Sequence, residues 1–186
     1  MGTIFDPDVL HSCAKLGVGL ELEKAFDTVT EALVTRYPEH IHAGPRDWMY
    51  NNAGGAMGMM TLLHASLSEY ILFFGSAIGT EGHSGRYRTE VYDFMIQGEM
   101  WCYEEGDTQR RVYRPGDGAY LGPDRTKGYR LPDHGWMLEY ARGPIPTMLP
   151  FGLADTLLST LDVACLWKTL RVYGSLTVKS LLQGKL

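Results

Sequence analysis

Between positions 47 and 142 the chain is cut by Gly, Pro, Asn and Asp into short runs rich in Tyr, Val, Ile, Phe and Trp. Runs of roughly 5–10 residues bounded by turn formers are the pattern of an antiparallel sheet or barrel. Glycine supports this, because 22 of the 186 residues are Gly, enough for many tight turns. The flanks read differently. Asp6-Pro7 is an N-cap followed by a first helical residue, with Gly17 or Gly19 as the stop. Leu22, Phe26, Val29 and Leu33 recur at helical spacing, which predicts an amphipathic helix over 20–37, ended before Pro38. From Pro146 or Pro150 onward the texture is helical again, with a short helix near 150–159 and a longer one near 161–182. Helices, then strands, then helices give an α+β fold with a β-barrel centre. The expected segments are an N-terminal helical part over 1–46, the barrel over 47–146 and C-terminal helices over 147–186, all in one structural domain.

The net charge of −5 lacks the basic footprint of a nucleic-acid binder, so no nucleic-acid partner is expected. That charge is unevenly spread. Residues 151–186 carry Lys168, Arg171, Lys179 and Lys185 against Asp155 and Asp162, a net of +2, which leaves −7 on the first 150 residues. A basic, apolar tail on an acidic body suits a membrane surface, and an ordinary solvated helix face has the same composition. No apolar run reaches the roughly 18–20 residues needed to span a bilayer, and no signal peptide is visible. Cys13, Cys102 and Cys165 have neither metal nor redox spacing.

Strand parity singles out two carboxylates. In RYRTEVYDFMIQG, Asp93 shares a face with Val91 and Met95. In WMLEYA, Glu139 shares a face with Met137 and Ala141, while Trp136, Leu138 and Tyr140 make the other face apolar too. A carboxylate framed this way is costly unless protonated, paired or hydrogen-bonded. Two that share one proton would satisfy each other; solvation at a strand end or pairing with an arginine would also serve. Glu90 has the opposite parity and is expected in the barrel wall, facing away from a cavity. By the same rule Tyr70, Leu72 and Phe74 share one face of SEYILFFG, and Ile71 and Phe73 the other.

The H-x-H pair His40-Ile41-His42 precedes the strands and has no Glu four or five residues on, so a metal-free centre is expected. His64 and His83 read as hydrogen-bonding structural residues, and His134 lies in the turn PDHG. The glycines of NNAGGAMG (51–58) have no following lysine, so they read as a tight turn that lets backbones meet, not as a phosphate cradle.

The strings YNNAGGAMGMMTLLHASLSEYILFFGSAIGTEGHSGRYR (50–88), WMLEYARGPIP (136–146) and FGLADTLLSTLD (151–162) closely resemble one small family. It comprises the fungal and protist delta-8 to delta-7 sterol isomerases and their relative, the sigma non-opioid intracellular receptor. The resemblance covers roughly 4–173. It implies a cupin-like barrel followed by two membrane-adjacent C-terminal helices that close one mouth. It also implies a homotrimer, with 51–58 near its interface, and residence in the endoplasmic reticulum membrane. The family usually opens with a membrane-spanning helix that this sequence does not contain. Either such a helix has been removed, or attachment runs through the C-terminal helices alone.

The resemblance assigns the chemistry as well. Glu139 matches the family's ligand-binding glutamate in W-M-x-E-Y, and Asp93 the aspartate hydrogen-bonded to it. Residues implied to line the ligand cavity are Met60, Leu62, Tyr70, Phe74, Tyr87, Val91, Tyr129, Leu131, Leu149, Gly152, Thr169 and Tyr173. The receptor has tryptophan at the positions of Ala56 and Leu131. The implied reaction belongs to ergosterol-type biosynthesis: one carboxyl protonates sterol carbon 9, a cation forms at carbon 8, and a base removes a proton from carbon 7. It has no redox step, so no cofactor is expected. Hydrophobic cationic amines would inhibit by mimicking the cation. The alternative is a non-catalytic, sigma-like membrane protein that binds such amines or sterols through Glu139. NNAGGAMG, GTEGH and MLPFG follow the isomerase branch.

Overall fold

The computed structural model describes residues 2–185. Helix α1 (Pro7–Lys15) starts at Asp6, whose side chain accepts from the Asp8 N–H. Helix α2 (Leu22–Arg36) follows, capped by Glu21. Ten strands come next: β1 (Met49–Ala53), β2 (Ala56–Ala65), β3 (Glu69–Ser76), β4 (Thr80–His83), β5 (Glu90–Gly98), β6 (Met100–Glu104), β7 (Arg111–Tyr113), β8 (Gly118–Leu121), β9 (Lys127–Leu131) and β10 (Gly135–Arg142). A short 3₁₀ turn (Ile145–Thr147) leads into α3 (Leu149–Leu158) and α4 (Val163–Leu182). The helical flanks and the stranded centre agree with the pattern of the sequence.

The strands form two antiparallel sheets. One has six strands in the order β1-β2-β3-β10-β5-β8, the other four in the order β4-β9-β6-β7. The expected barrel is therefore not a closed hydrogen-bonded cylinder. The sheets face each other across the interior, as in a sandwich, each keeping its own edges. Alternating hydrophobicity marks an inward face equally well in either arrangement.

Two apolar layers result. Ile71, Phe73, Leu138 and Tyr140 point out of the six-stranded sheet and bury α1 and α2 through Leu10, Phe26, Val29 and Leu33. Leu62, Leu72, Phe74, Met95 and Met137 point the other way, toward Met100, Cys102 and Leu131 of the smaller sheet. β3 and β10 are thus apolar on both faces, which explains their unbroken hydrophobic runs.

At the β1–β2 turn, Gly54 and Gly55 both take positive φ, +63° and +85°. A Cβ on Gly54 would lie 2.3 Å from the His83 carbonyl oxygen and 2.6 Å from the tip of the Phe151 ring. The glycines do let backbones meet: the His83 N–H donates to the Gly54 carbonyl at 2.9 Å, tying the hairpin to β4.

Glu69, fully buried at the start of β3, gathers both chain ends. It accepts from the Ile4 and Phe5 N–H groups and the Tyr140 hydroxyl, and pairs with Lys185 Nζ at 2.7 Å. Lys185 Nζ also donates to the Gly2 carbonyl.

Candidate active site

Asp93 on β5 and Glu139 on β10 are direct partners in the antiparallel register. Strand alternation turns both toward the space between the sheets, on the face shared by Val91 and Met95 on one strand and Met137 on the other. Glu90 lies on the opposite face, as its parity predicts, where it accepts from Arg142 and, at 2.9 Å, from the Tyr120 hydroxyl.

The two carboxyls do not satisfy each other through one shared proton. Each has its own partner. Tyr70 of β3 donates its hydroxyl to Glu139 Oε1 at 2.5 Å. Lys127 of β9 reaches across from the smaller sheet to pair with Asp93 Oδ2, so this ion pair bridges the two sheets. It is almost fully enclosed, with the Lys127 side chain 8% exposed and that of Asp93 6%.

Burial, and then the neighbouring Asp93 charge, push the Glu139 carboxyl up to about 7; the Tyr70 hydrogen bond and the Lys127 charge pull the other way. Glu139 retains some exposed surface, but it opens onto the enclosed cavity it lines. Burial disfavours the Lys127 ammonium, yet its attraction to Asp93 prevails and its pKa is raised. Burial also lifts the Tyr70, Tyr87 and Tyr129 hydroxyls, with the Glu139 charge adding to it, so these groups stay protonated as donors.

The carboxyls open on a cavity of about 180 Å³. Close-packed interiors hold few voids larger than a water molecule, so this space exceeds ordinary packing voids. Eleven of the twelve expected wall residues line it: Met60, Leu62, Tyr70, Phe74, Tyr87, Val91, Tyr129, Leu149, Gly152, Thr169 and Tyr173. Leu131 does not. It is fully buried in the layer behind the wall, in the close contact with Gly135 that a missing Cβ permits. Lys127 is not among the residues that the sequence singles out, although its neighbours Tyr129 and Leu131 are. The available signal was parity, since Lys127 shares a strand face with Tyr129 and Leu131.

Helices α3 and α4 close the cavity on one side, contributing Leu149, Phe151, Gly152, Leu153, Thr169, Leu170 and Tyr173. Asp155 of α3 accepts from the Gly55 N–H at 2.9 Å, and Phe151 meets Tyr87 edge to face at 5.6 Å. On α4, Tyr173 donates to the Ser66 carbonyl, Ser180 to that of Ala65 and Lys168 to that of Trp48. His64 and His83 serve as hydrogen-bonding groups. His64 Nδ1 donates to the His40 carbonyl, with burial holding its pKa down to about 4, and His83 Nδ1 accepts from the Gly85 N–H. Among the described residues no three His, Cys, Asp or Glu side chains converge as a metal site.

The profile of the family described as "ERG2 and Sigma1 receptor like protein" matches residues 2–185. The "Protein erg2 homolog" of Dictyostelium discoideum is 46% identical over 158 residues, spanning 85% of this chain and 67% of that protein. The "C-8 sterol isomerase" of Neurospora crassa is 40% identical over 191 residues, 98% of this chain and 73% of the other. The "Sigma non-opioid intracellular receptor 1" of Gallus gallus is 44% identical over 170 residues, 91% and 77% respectively. Among solved structures, an RmlC-like cupin from Shewanella frigidimarina superposes with a TM-score of 0.46 at 18% identity, over 55% of this chain and 87% of that one. On the match along its length and the identity to these relatives, the chain belongs to the ERG2 and Sigma1 receptor-like family.

Proposed function

We propose that this chain is a sterol isomerase that moves the ring double bond from delta-8 to delta-7, with Glu139 as the acid and Asp93 as its facing base. One observation carries the reading. A carboxyl poised near neutrality faces a carboxylate–ammonium pair inside an apolar cavity. Glu139 gives its proton to carbon 9, and the π electrons of the delta-8 bond form the new C–H bond. Carbon 8 is left cationic. Asp93 then takes a proton from carbon 7, and that C–H pair becomes the delta-7 bond. A proton passing from Asp93 back to Glu139 resets the pair. Before the first step Asp93 and Lys127 cancel. After it, the cation is balanced by the new Glu139 carboxylate, so the enclosed site stays neutral throughout. The faces of Tyr70, Phe74 and Tyr87 support the cation. The test is incubation of purified protein with a delta-8 sterol. A product of unchanged mass and shifted retention time supports the assignment, and no conversion by folded protein removes it.

The chicken receptor's similarity favours a second reading, in which the same cavity holds a hydrophobic amine through Glu139 without catalysis. We propose further that α3 and α4 rest on the endoplasmic reticulum membrane. Leu158, Leu161, Val163 and Trp167 are exposed there beside exposed Lys168 and Arg171. A sterol would then enter from the bilayer without crossing water. No described helix is long and apolar enough to cross a membrane. A homotrimer through the β1–β2 edge is proposed on the exposed Tyr50 and Met57, with mass in detergent solution as its measurement.

A further inference from the structure

Lys127 is the one fixed cation among the described residues of the cavity wall. Its ammonium lies between the sheets, paired with Asp93 and within electrostatic reach of Glu139. A buried ion pair of this kind is a poor stabiliser, since apolar residues of similar volume commonly hold a core as well or better. Its place beside the facing carboxyls is better explained by what it does to them. Two carboxyls in register with no cation nearby cannot both ionise, so they divide one proton between them. With Lys127 present, Asp93 has a charged partner, while burial and the Asp93 charge favour the protonated form of Glu139.

We propose that Lys127 is a positioning residue for the double-bond shift, holding Asp93 as a carboxylate turned into the cavity so that Glu139 alone carries the transferable proton. This rests on the isomerase reading of the site. The titratable and charged groups around the pair are Lys127 and Tyr129 from β9, Cys102 from β6, Tyr70 from β3, Tyr173 from α4, and His83 and Tyr87 at the β4 side. Of these, only Lys127 supplies a fixed positive charge. Losing it removes the charge that lowers the proton affinity of Glu139.

The experiment compares Lys127→Met, which keeps the stem and removes the charge, with Lys127→Arg, which keeps the charge. The first readout is the infrared band of the protonated carboxyl, assigned by its loss in Glu139→Gln and followed against pH without substrate. The second is the pH profile of delta-8 sterol turnover. In Lys127→Met the band persists to a pH about one unit higher, the alkaline limb of the profile moves up, and turnover at pH 7 falls by about tenfold or more. Lys127→Arg retains the wild-type titration. Should Lys127→Met fail to fold, Lys127→Gln, which keeps a donor to Asp93 without charge, takes its place. An unmoved infrared titration in the folded uncharged variant overturns the proposal. So does a loss of turnover with an unmoved alkaline limb, which marks a structural role. If the titration moves while the wild-type protein converts no sterol, the role of Lys127 stands and the isomerase reading falls.

Discussion

Asp93 and Glu139 stand opposite each other on adjacent strands, and each is held from a different side, Asp93 by Lys127 and Glu139 by Tyr70. Like charges directly across a strand pair repel, and burial sharpens the repulsion. The separate partners resolve it asymmetrically, leaving one group with its charge compensated and the other with its pKa raised.

Glu139→Gln should abolish proton donation and also stabilise the protein. Turnover is expected to fall by about 10²–10⁴, the usual worth of a positioned acid. The folded carboxyl, raised to about 7 from an ordinary 4.5, binds more protons than the unfolded one between those values. Stability attributable to Glu139 is therefore complete below about pH 4.5 and lost as pH rises to 7. Thermal melts should show little gain for the variant at pH 4 and a gain of up to about 3 kcal/mol at pH 8. Equal gains at both would refute this.

Turnover of the wild-type protein should decline on the alkaline side as Glu139 loses its proton. With the carboxyl at about 7, the rate is expected to drop about tenfold per unit well above that pH. A rate still rising from pH 7 to 9 would take the acid role away from Glu139.

Tyr70→Phe removes the hydroxyl that favours the Glu139 carboxylate. The alkaline limb should shift to higher pH, with a cost to folding of only about 1 kcal/mol because the ring remains. A limb that stays in place would mean that the 2.5 Å bond does not tune the acid.

How far the sequence could reach depended on the kind of information each residue carries. Parity put Asp93 with Val91 and Met95, Glu139 with Met137, and Tyr70 with Phe74, because side chains alternate strictly along a strand, and the family resemblance pointed those faces inward. Parity could not say which inward residues meet open space. Leu131 shares the inward orientation, yet packs behind the wall, where cavity depth and not direction decides. Nor could it pair β9 with β5 across the interior. Opposing sheets meet through tertiary packing, which left the Lys127–Asp93 pair out of reach. The same limit hid the division into two sheets, since a strand's pattern records which face is buried and not whether its last neighbour closes a ring.

Gly54→Ala should loosen the closed side of the cavity. A methyl at φ +63° would collide with the His83 carbonyl and the Phe151 ring. A loss of about 1–3 kcal/mol is expected, with weaker binding of a cavity-filling amine. Gly55, also at positive φ but with open space around it, should show the strain without the collision. Equal binding losses at the two positions would separate Phe151 from the effect.

Replacing Leu158, Val163 and Trp167 together with Ser should weaken liposome binding several-fold and leave the melting temperature nearly unchanged, because all three are exposed. A collapse in stability would mean that these side chains pack against the protein; unchanged liposome binding would remove the membrane from this face.

The Glu69 clasp bears on the order of assembly. Hairpins such as β1–β2 close over a few residues, whereas the clasp unites positions 65 and 183 apart along the chain. Contacts of that span form late, since the intervening chain must first be ordered. The β-sheet pocket can therefore exist before its helical cover is sealed. The clasp thereby ties the seating of the helical cover to a buried carboxylate that lies outside the cavity.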